Sequence, residues 1–200
     1  MARRNSNFFN RMRLGIFGAL IGILLLGLGI YFFSSKRDVS LELKVYADPS
    51  GVFSFRYMPQ FVIEKDTDES LIKRYGLDYI VGFRHTYDPR IGCEIRKNDG
   101  SFSLDLPEQD ISWKLVTQYS KDTKEFSLVR SGKVVLQGNM SAFQFSFTFV
   151  DPLDATMLIH QVFIPHGKDM YLLTCGSGRA YSEKFESDFE TFFSSFVFNE

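Results

Sequence analysis

Leu14 to Phe33 is a run of twenty residues without a charge, and it constrains this chain more than any other stretch. As an α-helix rising about 1.5 Å per residue it would cover roughly the 30 Å hydrocarbon core of a bilayer. It is read as one transmembrane helix tethering one soluble domain. The run is rich in Leu and Ile, from Leu14 through Leu25, and closes on Tyr31, Phe32 and Phe33 ahead of Lys36 and Arg37. Amphipathic rings and long cationic stems settle at a membrane–water interface. Arg3, Arg4, Arg11 and Arg13 precede the run, an excess that predicts a cytoplasmic amino terminus and a domain outside the cytoplasm, in a periplasm or on a cell surface. No small-x-small cleavage site follows Phe33 and no cysteine stands near it, so a retained signal-anchor is expected. The alternative is a mitochondrial address and the mitochondrial inner membrane, because residues 1–37 hold six basic residues and no acidic one. Gly18-x-x-x-Gly22, flanked by Gly15 and Gly29 at seven-residue spacing, is a candidate face for helix-mediated homodimerisation.

The chain therefore divides into a basic tail (1–13), a membrane helix (14–33), a polar tether (34–41) and a domain (42–200). Residues 1–37 take six of the 23 basic residues and none of the 24 acidic ones, which leaves the rest with 17 against 24. An acidic domain is a poor match for nucleic acid, whose recognition needs clustered positive charge, and for an anionic lipid surface. About 160 residues make one ordinary domain that needs no covalent staple. Cys93 and Cys175 are the only cysteines. They lack metal-ligand spacing and are read as two buried thiols in preference to one disulfide, although an extracytoplasmic position would permit the bond.

Within the domain, strands are expected at 42–47, 52–57, 61–64, 79–87, 93–97 and 102–106, with Asp48-Pro49-Ser50-Gly51 as a turn and Asn98-Asp99-Gly100 as a hairpin signal. Phe53, Phe55 and Tyr57 alternate with Ser54 and Arg56, the pattern of a half-buried strand. Residues 71–76 remain ambiguous. A helix from Glu108 to about Ser120 places Ile111, Leu115 and Tyr119 in one stripe. From Phe126 a meander of five apolar runs is expected, broken at Ser131-Gly132, Gly138-Asn139, Asp151-Pro152 and Pro165-His166-Gly167. In 142–149, Phe143, Phe145, Phe147 and Phe149 point one way and Gln144, Ser146 and Thr148 the other. Residues 157–164 and 170–175 are more continuously apolar, as central strands covered on both faces would be. A closing helix, about 180–195, carries Tyr181, Phe185, Phe189, Phe192, Phe193 and Phe196 as an inward stripe.

Gly51-x-Phe53-x-Phe55-x-Tyr57-x-Pro59, a late strand at 170–174 and a terminal helix ending in Ser195-Phe196 together resemble the PsbP-like superfamily, which includes the bacterial DcrB-like proteins. The resemblance spans about residues 46–198. Where that family usually has a Trp just after the proline, this chain has Phe61, and its single tryptophan, Trp113, falls on the first helix. The resemblance implies an α+β fold, an antiparallel sheet sandwiched by helices, and non-enzymatic extrinsic subunits, envelope proteins or chaperone-like binding modules. None of the family's metal- or chloride-retention residues has a counterpart to carry over.

Few residues are spaced for chemistry. Gly176-Ser177-Gly178 sits between a strand and a helix, but Tyr181 occupies the third glycine position of a dinucleotide fingerprint. Ser177, Gly178 and Arg179 remain a candidate anion site at a helix start. Ser177 is outside a nucleophile elbow because Cys175 replaces its first glycine. His85, His160 and His166 have no shared-metal spacing, and Asp66, Asp68 and Glu69 form a poor calcium loop with Leu71 at the glycine position. No cofactor is expected. The function expected is a membrane-anchored, non-enzymatic accessory or protein-interaction module with a protein partner in the membrane or envelope. The alternative is a small-ligand or metal-ion-retaining domain.

Overall fold

The computed structural model describes residues 42–64, 78–98 and 103–199. The uncharged run expected to span a membrane, with Leu14, Gly18, Gly22, Leu25, Tyr31 and Phe33, the Asp66, Asp68 and Glu69 cluster, and the ambiguous stretch 71–76 lie outside the described residues. Among those described, no helix is long and apolar enough to cross a membrane.

The elements in order are β1 (Lys44–Ala47), β2 (Phe53–Tyr57), β3 (Phe61–Glu64), β4 (Asp78–His85), β5 (Gly92–Asn98), α1 (Glu108–Asp122), β6 (Lys124–Leu136), β7 (Met140–Val150), β8 (Thr156–His166), β9 (Asp169–Gly178), α2 (Ser182–Ser194) and β10 (Val197–Phe198). Two sheets result, a three-stranded one in the order β1-β2-β10 and a seven-stranded one in the order β3-β4-β5-β9-β8-β7-β6. The strand pairs are antiparallel. β8 and β9 lie inside the larger sheet, as their continuous apolar runs require.

One face of the large sheet is sealed by the small sheet and α2. Phe53 and Phe55 of β2 meet Phe83, Ile95 and Leu173 of the large sheet, and Phe189, Phe192 and Phe196 close over them. Phe196 is completely enclosed, its ring 5.1 Å from that of Phe53. Each such ring contributes about 1.5–3 kcal/mol by leaving water. The end of α2 is pinned to β2: the Ser195 hydroxyl accepts from the Arg56 N–H at 2.8 Å and donates to the Arg56 carbonyl at 3.2 Å. Gly51 turns into β2 with φ +76°, a backbone region glycine enters without penalty.

The opposite face carries α1. Ile111 and Leu115 pack on Phe143, Phe145 and Phe147 of β7 and Leu172 of β9, while Tyr119 stacks on Phe147 with centroids 4.9 Å apart. Glu108 and Asp110 occupy the first turn of α1, where negative charge complements the helix dipole. Thr123 closes the other end by donating its hydroxyl to the Tyr119 carbonyl at 2.7 Å.

Five expectations are corrected. The single sheet becomes two, because β2 pairs with β1 and the two-residue β10 instead of joining the large sheet. Residues 103–106 form turns, not a strand, since β4 and β9 occupy both edges of β5. Ser131-Gly132 does not break the meander: β6 runs straight through it for 13 residues, so four strands replace five runs. Tyr181 is 51% exposed and leaves the aromatic stripe, because α2 starts after it. Cys93 and Cys175 are not separate thiols. They stand directly opposite on β5 and β9, with Cα atoms 4.0 Å apart, and are joined as a disulfide.

Candidate functional site

The two faces of the large sheet differ in how completely they are covered. α1 lies over the β6–β7 side of its face, and strands β8, β9 and β5 beside it form the floor of an open groove of about 810 Å³. Strand periodicity supplies that floor: Phe147 and Phe149 from β7, Ile159 and Phe163 from β8 and Leu172 from β9 share one face by register. Gln161 sits in the middle of this apolar surface, opposite Phe145 on one neighbour and Thr174 on the other. Its side chain is 94% enclosed, being only 6% exposed. The amide nitrogen donates to Thr174 Oγ1 at 3.4 Å, and Oε1 has no hydrogen-bond partner.

The rim is polar, and its two cations are each paired with a carboxylate. Arg96 grips Glu94 with two hydrogen bonds, Nε to Oε1 at 2.9 Å and Nη2 to Oε2 at 3.0 Å, and lies over the Tyr79 ring at 5.7 Å. Lys124 at the far end pairs with Asp154 at 2.8 Å. Beyond Arg96 the groove continues into a shallower depression of about 370 Å³ whose lining includes Gly92 and Gly176. These two glycines face each other across β5 and β9. A Cβ on Gly176 would come within 2.6 Å of Ile159 Cδ1, and one on Gly92 within 2.7 Å of the Phe83 carbonyl oxygen, so the flat floor depends on their lacking side chains.

On the sealed face the fold assembles a pair that linear spacing does not reveal. Ser146 Oγ and His160 Nδ1 are 2.9 Å apart on adjacent strands β7 and β8. Burial pushes the His160 imidazole below its ordinary pKa, opposed by the nearby Glu186 carboxylate. A serine beside a neutral imidazole has the composition of a nucleophile and base. Ser146 is nevertheless 1% exposed, so no substrate carbonyl reaches its oxygen, and the pair satisfies buried polarity. Asp188 on α2 is a second perturbed group: burial raises its carboxyl, against a 2.7 Å hydrogen bond from Gln60 Nε2 and the charge of His85.

The sequence candidates fall apart in space. Ser177 ends β9 facing inward at 0% exposure with Oγ lacking a partner. Arg179 is exposed on a short 3₁₀ turn, Arg179–Tyr181, that separates Gly178 from α2. His85 packs edge-on to Phe61 and Phe185, and His166 stacks on Phe198 at 3.8 Å. Among the described residues no three His, Cys, Asp or Glu side chains converge as metal ligands. The groove itself went unpredicted; its one legible signal was the polar Gln161 inside the apolar run 157–164.

A seven-stranded antiparallel sheet flanked by helices, with the terminal helix sealing one face, defines a PsbP-like α+β fold, the architecture shared in the sequence resemblance with DcrB-like proteins. The chain is similar to the solution structure of the cyanobacterial PsbP protein CyanoP from Synechocystis sp. PCC 6803, with 14% identity over 80% of this chain and 94% of that one and a TM-score of 0.58. It is also similar to LpqN, involved in cell envelope biogenesis of Mycobacterium tuberculosis, with 11% identity over 82% of this chain and 94% of that one and a TM-score of 0.51. At these identities the likeness is one of fold. No protein-family profile and no curated protein sequence matches the chain.

Proposed function

We propose that this chain is a membrane-anchored, non-enzymatic accessory module held outside the cytoplasm, where it serves as an interaction subunit of a larger membrane complex. The observation that carries the reading is that the Ser146–His160 pair lies on the face covered by α2, with Ser146 1% exposed and the His160 ring 6.1 Å from that of Phe189, so the pair is closed to a substrate. The uncharged run 14–33 supports the anchor. The Cys93–Cys175 bond supports an oxidising compartment, since such bonds persist outside the cytosol and are rare within it. LpqN, involved in cell envelope biogenesis of Mycobacterium tuberculosis, shows a role this fold serves elsewhere.

The partner-binding surface in this reading is β6. It ends the large sheet, runs for 13 residues, and exposes Leu128, Val129 and Val135. An unpaired strand edge with exposed apolar side chains is a template for strand addition. Mild detergent extraction followed by blue-native electrophoresis and crosslinking tests the proposal. The full chain is expected to migrate in a larger assembly that dissociates on Val129→Glu with Val135→Glu; monomeric migration with no crosslinked neighbour would overturn it. A second reading, retention of a small ligand, is favoured by the groove beside α1 with its unpartnered Gln161 oxygen.

A further inference from the structure

We infer that the groove between α1 and strands β8, β9 and β5 binds an uncharged, flat, apolar molecule bearing a hydrogen-bond donor, anchored by Gln161. This deepens the small-ligand reading and is independent of the tether and of any protein partner. Three observations converge on it.

The first is size and surface. About 810 Å³ bounded by Phe147, Phe149, Ile159, Phe163 and Leu172 suits a compact organic molecule, and aromatic walls favour a planar one. The second is the orphaned acceptor. Gln161 is 6% exposed, lines the groove and keeps Oε1 without a partner. Buried acceptors are rarely left unmatched, because the lost hydration is not replaced. A donor arriving with a ligand replaces it, and the broad terminal torsion of the amide lets the oxygen turn toward that donor. The third is charge. The two cations lining the groove each already hold a carboxylate, Arg96 that of Glu94 and Lys124 that of Asp154, while Asp122 and Asp151 add negative charge to the rim. An anionic head group would have to break an ion pair to find a counter-charge. A neutral ligand meets no such opposition.

The test compares two neutral probes of similar shape, N-phenyl-1-naphthylamine, which carries one N–H donor, and 1-phenylnaphthalene, which carries none. Both are titrated against the full chain in one detergent, with binding read by native mass spectrometry after the micelle is stripped. The expected result is a one-to-one adduct with the amine bound about tenfold more tightly than the hydrocarbon, the scale of one net buried hydrogen bond. In Gln161→Leu and Gln161→Met, which keep the apolar volume, that preference should collapse to within about twofold. The proposal is overturned if the amine gives no saturable one-to-one adduct, or if its preference survives both substitutions. Dodecanoate provides the third arm: binding tighter than the amine would make this a site for a charged amphiphile and overturn the inference. None of these failures bears on whether the chain joins a larger membrane assembly.

Discussion

Replacing Phe145 by Ala tests the packing that holds α1 on the sheet and so defines one wall of the groove. Phe145 is completely enclosed on β7, with its ring 5.7 Å from Tyr119, 5.6 Å from Phe147 and 6.4 Å from Phe126. Loss of the ring removes about 2–3 kcal/mol of burial. The cavity left behind adds to this, because neighbours tied into strands relax only partly, which brings the expected total to about 3–5 kcal/mol. For a domain of this size that corresponds to a melting temperature lower by roughly 6–20 °C. Urea unfolding of the full chain, followed by near-ultraviolet circular dichroism, measures it. Val135→Ala is the control, since that side chain is 70% exposed and should change stability by less than about 0.5 kcal/mol. A loss below about 1.5 kcal/mol for Phe145→Ala, or equal losses for both variants, would refute the placement of α1 over β7.

Three further outcomes are expected. Cys93→Ala with Cys175→Ala should lower stability by about 4.5 kcal/mol, the chain-entropy value for the 82-residue separation the bond spans; denaturation curves with and without reductant should differ for the native chain and coincide for the variant. His160 is neutral in the folded state because burial lowers its pKa, whereas the unfolded histidine takes up a proton near pH 6.5. Its contribution is therefore complete above about pH 6.5 and is lost as pH falls through the lower folded value, so His160→Gln should flatten the stability profile below about pH 6.5. Ser195→Ala removes both hydrogen bonds to Arg56 and should cost about 1–2 kcal/mol in the same urea assay.

Much of the architecture was legible where side-chain period and burial coincide. Phe53, Phe55 and Tyr57 on β2 and Phe143, Phe145 and Phe147 on β7 point inward as alternation dictates, and α1 and α2 lie within a few residues of their apolar stripes. Alternation also separated the opposite face of β7. Ser146 and Thr148 point there and are buried, because a second layer covers that side too, which the alternation alone does not reveal. Gly132 looked like a turn but lies within the edge strand β6, beside the flexible Glu108 side chain of α1. The Cys93–Cys175 pairing and the Ser146–His160 contact depend on register between strands. Register is a tertiary property that residue spacing along the chain does not encode.

The reading that the ordered domain stands outside the cytoplasm is tested most directly by the oxidation state of Cys93 and Cys175 in the cell. Cells would be quenched in acid, the protein fully denatured and alkylated, and its peptides analysed without reduction. The account predicts a single crosslinked species joining the Cys93 and Cys175 peptides, with neither thiol modified. Both cysteines recovered fully alkylated would mean a domain kept in a reducing compartment, and would contradict it.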